Sequence, residues 1–197
     1  MRRAKSTAQT KRPRRRAVAV YDYRDEHGKL LYQVVRYYPK GFSYRRISGS
    51  ESANLGRVRR VPYRLPELLA TDRHQPVYIV EGEKDVDRIR SLNLVATCNS
   101  GGGGPGKWPG SHSRVLRGRD VVIIPDNDPT GQEHALDVAR SLRRYARSIR
   151  ILKLPRLPPK GDVSDWLDGD GTLEHLRTLV TSTPYWGPSP PRLNSDN

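Results

Sequence analysis

The sequence predicts an α/β protein with a mostly parallel sheet of about four strands and helices on both faces. From about residue 76, short apolar runs alternate with amphipathic stretches, and this βαβα rhythm is typical of a parallel sheet. Before residue 76, short strand-like runs are separated by turn residues, which indicates a small β-rich module. We therefore divide the chain into a basic tail, a β-rich module with a linker, an α/β domain and a Pro-rich tail that is predicted to be disordered: residues 1–16, 17–75, 76–182 and 183–197.

The net charge of +15 is concentrated near the N-terminus. The basic tail contains no acidic residue, whereas the α/β domain is nearly neutral. Such a tail has little to bury, so it is predicted to be disordered and to bind the phosphates of nucleic acid. The candidate DNA-binding residues are its eight cations: Arg2, Arg3, Lys5, Lys11, Arg12, Arg14, Arg15 and Arg16.

Several classes of protein are excluded by composition. No run of 18 apolar residues and no secretory signal is present, so we expect a cytoplasmic protein without a membrane partner. Cys98 is the only cysteine, and the five histidines lack metal-ligand spacing. A bound metal would therefore have oxygen ligands, which favours Mg²⁺ or Mn²⁺ over zinc.

The β-rich module is predicted to contain strands at 17–24, 30–38 and 43–47, separated by turns. Its aromatic side chains either pack in a core or stack on nucleic-acid bases, and we favour packing. They are Tyr21, Tyr23, Tyr32, Tyr37, Tyr38, Phe42 and Tyr44. Residues 58–69 contain two prolines and are interpreted as a link to the next domain.

In the α/β domain, the pattern predicts four strands at 77–82, 94–100, 121–126 and 148–154. A helix follows at 83–92, a short one near 113–117, and a longer one after the third strand. Asp128 is a suitable N-cap for the longer helix, with Pro129 at its first position. Arginines recur on the polar side of this helix, where they either follow a nucleic-acid backbone or face solvent. These are Arg140, Arg143, Arg144 and Arg147.

Carboxylates follow two of the predicted strands. Glu81 ends the first strand, and Asp126 and Asp128 end the third. Ligands bind at the carboxyl ends of parallel strands, so the three side chains converge if the two strands are neighbours. Converging carboxylates are suited to Mg²⁺, and Mg²⁺ beside a basic surface indicates phosphoryl transfer.

A glycine-rich loop follows the second strand. Gly101, Gly106 and Lys107 match a phosphate-binding P-loop, but Trp108 occupies the position of the metal-binding Ser or Thr and Pro109 follows it. We therefore reject a P-loop ATPase. Backbone N–H groups of the loop remain candidates for phosphate contacts, or the loop is only a flexible connection. The candidate phosphate-binding residues are Lys84, Gly103, Gly104 and Lys107, although either lysine is equally suited to pairing with a nearby acid.

The segments VYIVEGEKDVDRI and VVIIPDNDPTGQEHA resemble the TOPRIM domain of DNA primases, topoisomerases and some nucleases, over about residues 76–170. The resemblance implies that Glu81 is a general acid or base and a metal neighbour. It implies that Asp126 and Asp128 are metal ligands and Asp85 an outer partner. Asp162 is either a further acidic site residue or the N-cap of a helix through 164–167.

The wording of these segments looks most like primase-type TOPRIM proteins of phages, plasmids and other mobile elements. That resemblance implies Mg²⁺-dependent nucleotidyl transfer that makes RNA primers on single-stranded DNA. Its partners would be NTPs and single-stranded DNA, with a replicative helicase or a separate zinc-binding or ATPase subunit. The alternatives are a TOPRIM nuclease and a non-catalytic DNA-binding accessory protein.

Overall fold

The structure, a computed structural model, describes residues 15–39 and 41–187. The N-terminal part forms an antiparallel sheet in the order β1-β2-β3-β4. Its strands are β1 (Arg16–Arg24), β2 (Leu30–Tyr38), β3 (Gly41–Arg46) and β4 (Glu51–Ser52).

The second sheet is parallel, with the order β6-β5-β7-β8. Its strands are β5 (Val77–Ile79), β6 (Val95–Thr97), β7 (Asp120–Ile123) and β8 (Ser148–Ile151). Strand β5 lies between β6 and β7, so the first and third predicted strands of the α/β domain are neighbours. This adjacency brings their carboxyl ends to one rim of the sheet.

Helices cover both faces of the parallel sheet, which confirms the predicted α/β architecture. Helices α2, α5 and α6 pack on one face and α3 and α4 on the other, because alternate strand residues point to opposite sides, whereas α1 contributes Leu65 to the first core and Leu68 to the second. The helices are α1 (Leu65–Ala70), α2 (Glu83–Arg90), α3 (Gly110–Val115), α4 (Pro129–Leu142), α5 (Val163–Asp168) and α6 (Leu173–Ser182). None of the helices within residues 15–39 and 41–187 has the length and hydropathy needed to cross a membrane.

The antiparallel sheet shares a hydrophobic core with one face of the parallel sheet. Tyr23, Tyr32 and Tyr44 are buried in the same cluster as Val80 and Ile124. The rings of Tyr23 and Tyr32 stack with centroids 4.6 Å apart. Packing is thus confirmed as the role of these three tyrosines. Tyr38 and Phe42, by contrast, expose 70% and 40% of their surface.

Some elements differ from the sequence prediction. Helix α1 lies in the predicted linker: Pro66 falls in its first turn, where a missing N–H is tolerated, so the proline does not break it. Helix α6 has no counterpart in the prediction, although Thr172 caps it by accepting a hydrogen bond from the His175 N–H. The parallel strands are shorter than predicted, with three or four residues each.

Residues 183–187 lie along the outer edge of β8. The Trp186 N–H donates to the Ile149 carbonyl at 2.7 Å, and Arg150 Nε donates to the Thr183 carbonyl at 3.0 Å. The Arg150 guanidinium also lies 3.9 Å from the centre of the Tyr185 ring. The start of the predicted Pro-rich tail therefore covers this strand.

Candidate active site

A cleft of about 280 Å³ lies between the rim of the parallel sheet and the antiparallel sheet. Glu81 follows β5, and Asp126 follows β7, so the two reach the cleft from adjacent strands. Helix α2 and the loop before α5 add further charged groups. The charged residues that line the cleft are Arg36, Glu81, Glu83, Lys84, Asp85, Asp126, Lys160 and Asp162.

The Glu81 carboxylate is held between two glycines. A methyl group on Gly103 or on Gly131 would overlap one or other of its oxygens. Its Oε1 atom is buried and has no hydrogen-bond partner. Burial raises the pKa of Glu81, and the charges of Asp128 and Asp85 add to this effect. A buried acceptor without a donor is costly, so this oxygen is suited to a cation.

Asp126 has the most strongly shifted pKa among the carboxylates at the rim. Burial, followed by the charges of Glu81, Asp85 and the remaining aspartates, raises the pKa of Asp126 to about 8. Mutual repulsion of this kind is relieved when a cation binds between the carboxylates.

Asp128 has one contact that the sequence predicts. Its Oδ1 atom accepts a hydrogen bond from the Gly131 N–H at 2.8 Å, which makes it the N-cap of α4, with Pro129 in the first turn. This residue is not among those that line the cleft. Its role as a metal ligand therefore remains a prediction.

Lys84 joins Asp85 and Asp162. Its ammonium lies 2.9 Å from Asp162 and 3.3 Å from Asp85, whose other partner is the Ser164 hydroxyl at 2.6 Å. Burial raises the pKa of Asp85. For Asp162, burial acts in the same direction, but hydrogen bonds from Lys84 and the Asp165 backbone outweigh it and lower the pKa. Of the two roles that the sequence leaves open for Lys84, the structure has the ion pair.

Of the two roles predicted for Asp162, the structure shows the N-cap, and its role as a site residue remains a prediction. It is the N-cap of α5, in a capping box with Asp165, and it also lines the cleft.

The glycine-rich loop contributes only in part. Gly103 lines the cleft, whereas Gly104 is buried and its carbonyl accepts a hydrogen bond from His134 at 2.9 Å. Lys107 is exposed and is not among the residues that line the cleft. The predicted phosphate contacts of Gly104 and Lys107 therefore have no counterpart in this geometry, because the loop turns towards α4 after Gly103.

Asn127, between the two aspartates, is a site residue that the sequence analysis misses. Its side-chain amide donates to the Leu157 and Pro158 carbonyls at 2.8 and 3.0 Å. Its backbone pairs with Lys160 and Gly161 at 2.9 and 2.8 Å. These four bonds hold the loop that carries Lys160 and Asp162 against the rim. An amide between two strand-terminal carboxylates is the sequence signal that would have pointed to it.

Glu83 and Arg36 are also missed. The Tyr23 hydroxyl donates to Glu83 at 2.8 Å, and burial raises the pKa of this glutamate. Arg36 reaches the cleft from β2. Since its position depends on how the two sheets pack, no local pattern reveals it.

The candidate DNA-binding tail is described only at its end. Arg15 and Arg16 are exposed at the start of β1, away from any ion pair in the described residues. The other six predicted cations lie outside the described residues: Arg2, Arg3, Lys5, Lys11, Arg12 and Arg14.

The donor set of the rim fits a magnesium or manganese ion. All its ligating atoms are carboxylate oxygens, one of which is buried without a partner. No three acidic, histidine or cysteine side chains in residues 15–39 and 41–187 form a complete coordination shell as they stand.

Comparisons with known proteins give structural matches only. No protein-family model and no curated protein sequence matches this chain. The catalytic core of the Escherichia coli primase superposes with a TM-score of 0.60 at 18% identity, covering 84% of this chain and 52% of that one. The zinc-binding and RNA polymerase domains of the Aquifex aeolicus primase superpose with a TM-score of 0.65 at 19% identity, covering 85% of this chain and 40% of that one.

A DnaG primase catalytic domain bound to single-stranded DNA gives a TM-score of 0.60 at 18% identity, covering 84% and 53%. This chain thus spans about half the length of the primase cores that it matches. The protein has the fold of DnaG-type primase catalytic cores, with its TOPRIM sheet and the β-rich module that precedes it.

Proposed function

We propose that this protein is a primase-type nucleotidyltransferase that makes RNA primers on single-stranded DNA during replication. The observation that supports it is the buried Oε1 atom of Glu81, without a hydrogen-bond partner in the described residues, beside Asp126 at the rim of a primase-type fold. By its resemblance in sequence, the protein would serve a phage, plasmid or other mobile element and would act in the cytoplasm.

Glu81 and Asp126 would hold Mg²⁺ or Mn²⁺, with Asp128 beside them and with Asp85 and Asp162 as outer partners. When bound, the metal ion would lower the pKa of a primer hydroxyl and stabilise the negative charge that develops on the transferred phosphoryl group. Asp126 would release its proton as the site is loaded, because a bound cation opposes the burial and the neighbouring negative charges that raise its pKa to about 8. Glu81, closed in by Gly103 and Gly131, would keep a fixed orientation during transfer.

The NTP would lie in the cleft with its phosphates towards Lys160 and Arg36. Lys84 is already paired with two aspartates, so these two cations are the better candidates for triphosphate binding. Phe42 lines the same cleft and is partly exposed. Its ring would stack on a base, which is the alternative that the sequence leaves open for the module's aromatics.

The template would be single-stranded DNA bound by the basic tail, of which Arg15 and Arg16 are the described members. A replicative helicase, or a separate zinc-binding or ATPase subunit, would be a partner. Deleting residues 1–14 removes six cations and leaves β1 intact. We expect the slope of log affinity against log salt concentration, measured for single-stranded DNA, to become shallower by about 4. An unchanged slope would show that the tail does not bind the DNA.

The direct test is incubation with labelled NTPs, Mg²⁺ or Mn²⁺ and single-stranded DNA, with new oligonucleotides and template cleavage scored on one gel. Asp126→Asn should lose the template-dependent products. Asp170→Asn, at a solvent-exposed position away from the cleft, is the matched control and should keep them. Cleavage without synthesis would instead support the nuclease, and DNA binding with neither activity would support the accessory protein.

A further inference from the structure

Six arginines lie at the end of the parallel sheet opposite the acidic rim. Helix α4 starts at the acidic rim and ends at this opposite end of the sheet. Helix α3 ends beside the end of α4. All six side chains are exposed, and we call this surface the arginine patch: Arg73, Arg114, Arg117, Arg140, Arg143 and Arg144.

Backbone and side-chain contacts bring these residues together from three segments. The Gly118 N–H donates to the Tyr145 carbonyl at 2.9 Å, which joins the segment after α3 to the segment after α4. One turn higher, the hydroxyls of Ser113 and Ser141 are 2.7 Å apart, next to Arg114 and Arg140.

The loop that carries Arg73 joins the same surface. The Arg73 guanidinium donates a hydrogen bond to the Arg117 carbonyl at 3.4 Å. The Arg117 guanidinium in turn lies 5.2 Å from the centre of the Tyr145 ring. The patch is therefore one continuous surface.

None of the six makes a salt bridge to a carboxylate within residues 15–39 and 41–187. The neighbouring arginines differ: Arg147 pairs with Asp120, and Arg119 is buried and donates to backbone carbonyls. A helix C-terminus favours a cation in its last turn, which accounts for Arg140 and its neighbours on α4. It does not account for Arg73, which precedes β5.

The chemistry of the patch matches phosphate. Guanidinium groups bind phosphate oxygens through paired N–H donors. Leu136 is the only exposed large hydrophobic residue on α3 or α4, so the patch lacks the apolar centre of a typical protein interface. We propose that the arginine patch binds the phosphate backbone of a nucleic-acid strand, at a site separate from the acidic cleft.

The separation has a definite length. Helix α4 has 14 residues and therefore spans about 21 Å between the rim and the patch. At the duplex rise of about 3.4 Å per nucleotide, a strand that reaches both would pass the patch about six nucleotides from the cleft, and an extended single strand would need fewer nucleotides. This inference concerns binding alone and does not depend on the proposed catalysis.

The first test measures binding of a labelled single-stranded oligonucleotide as a function of salt, with the full chain and without NTP. The patch variant is Arg140→Gln, Arg143→Gln and Arg144→Gln. A control of equal charge removes three exposed, unpaired arginines elsewhere: Arg57→Gln, Arg60→Gln and Arg177→Gln.

We expect the patch variant to reduce the log–log salt slope by about 2, from three contacts at about 0.7 each. When salt is raised from 50 to 200 mM, the fold-loss of affinity of the patch variant would then be smaller than that of the wild type by a factor of about 16. The control should change the slope less. Equal slopes for the two triple variants, or a patch variant that binds like the wild type, would overturn the proposal.

The second test locates the strand. Cys98 is buried, so a photo-crosslinker attached to Leu136→Cys on α4 reports on the patch, and one attached to Thr178→Cys on α6 is the control. We expect DNA crosslinks from the first position and not from the second. If Leu136→Cys fails to fold, Glu133→Cys takes its place on α4, and equal yields at both helices would refute the site.

Discussion

Two glycines shape the surroundings of Glu81 more closely than its charged neighbours do. Gly103 does not have a positive φ, so its backbone does not require glycine. The Glu81 carboxylate instead occupies the space where a side chain at position 103 would begin. A methyl group there would displace that carboxylate. We expect Gly103→Ala to lower primer synthesis by about 100-fold, since a displacement of about 1 Å at a catalytic group has this effect.

A matched substitution separates this effect from a general cost of alanine. Gly110 begins α3, has no positive φ and has nothing within 4 Å of the added methyl group. Gly110→Ala should leave primer synthesis unchanged. Equal losses in the two variants, measured with the same template and NTPs, would show that the geometry of Gly103 is not the cause.

His112 predicts a pH dependence of stability. Burial on α3 lowers its pKa from 6.5 to about 4. Below pH 6.5 the unfolded chain therefore takes up a proton that the folded protein does not. Stability present above this pH should be lost as the pH falls towards 4, by up to about 3 kcal/mol.

The comparison that isolates this residue is urea unfolding of His112→Gln between pH 7 and pH 4. The difference in unfolding free energy between wild type and variant should narrow as the pH falls. His74→Gln, at an exposed position, should show a constant difference. A constant difference for His112→Gln as well would contradict the predicted linkage.

At the scale of elements, Asn127 helps to hold the loop after β8 against the site. Asn127→Ala removes two side-chain hydrogen bonds, to the Leu157 and Pro158 carbonyls. We expect a loss of about 1–2 kcal/mol in unfolding free energy, together with weaker Mg²⁺ binding, because the loop that carries Asp162 is held less firmly.

Urea unfolding with and without Mg²⁺ measures both effects. Asn54→Ala, at an exposed position in the antiparallel module, is the control and should change neither quantity by more than about 0.5 kcal/mol. A destabilised Asn127→Ala that still gains the full stabilisation from Mg²⁺ would mean that the loop is structural only.

Elements with a strong local signal could be predicted from the sequence. Asp128 followed by Pro129 marks the start of α4, and two acidic strand ends indicate the rim. Residues whose neighbours are distant in sequence could not be predicted. Lys107 follows four glycines in a row, and the direction of that loop is decided by the contact between Gly104 and His134 rather than by its composition.

At the scale of the whole molecule, the antiparallel sheet and one face of the parallel sheet share a hydrophobic core, where the sequence indicates two units. Three tyrosines of the antiparallel sheet are buried against the parallel sheet, and Tyr32 also donates to Ser100 of the glycine loop at 3.1 Å. This packing could not be predicted because alternating aromatics specify a buried face without specifying its partner. Arg36 enters the cleft for the same reason.

The shared core predicts a single cooperative unfolding transition. Trp166 lies in the core that includes the three tyrosines, and Trp108 lies on the other face of the sheet. Fluorescence and far-UV circular dichroism should therefore give one midpoint in urea. Two separate midpoints, or a stable fragment of residues 76–187, would show that the module and the α/β domain fold independently.

Residues 183–187 also affect how the protein behaves at high concentration. An open strand edge is a template for pairing with another molecule, and in this chain Trp186 occupies the edge of β8. A truncation that ends before residue 183 would free the Ile149 carbonyl and leave this edge of the sheet open. We therefore expect such a truncation to aggregate more readily than the full chain at high concentration.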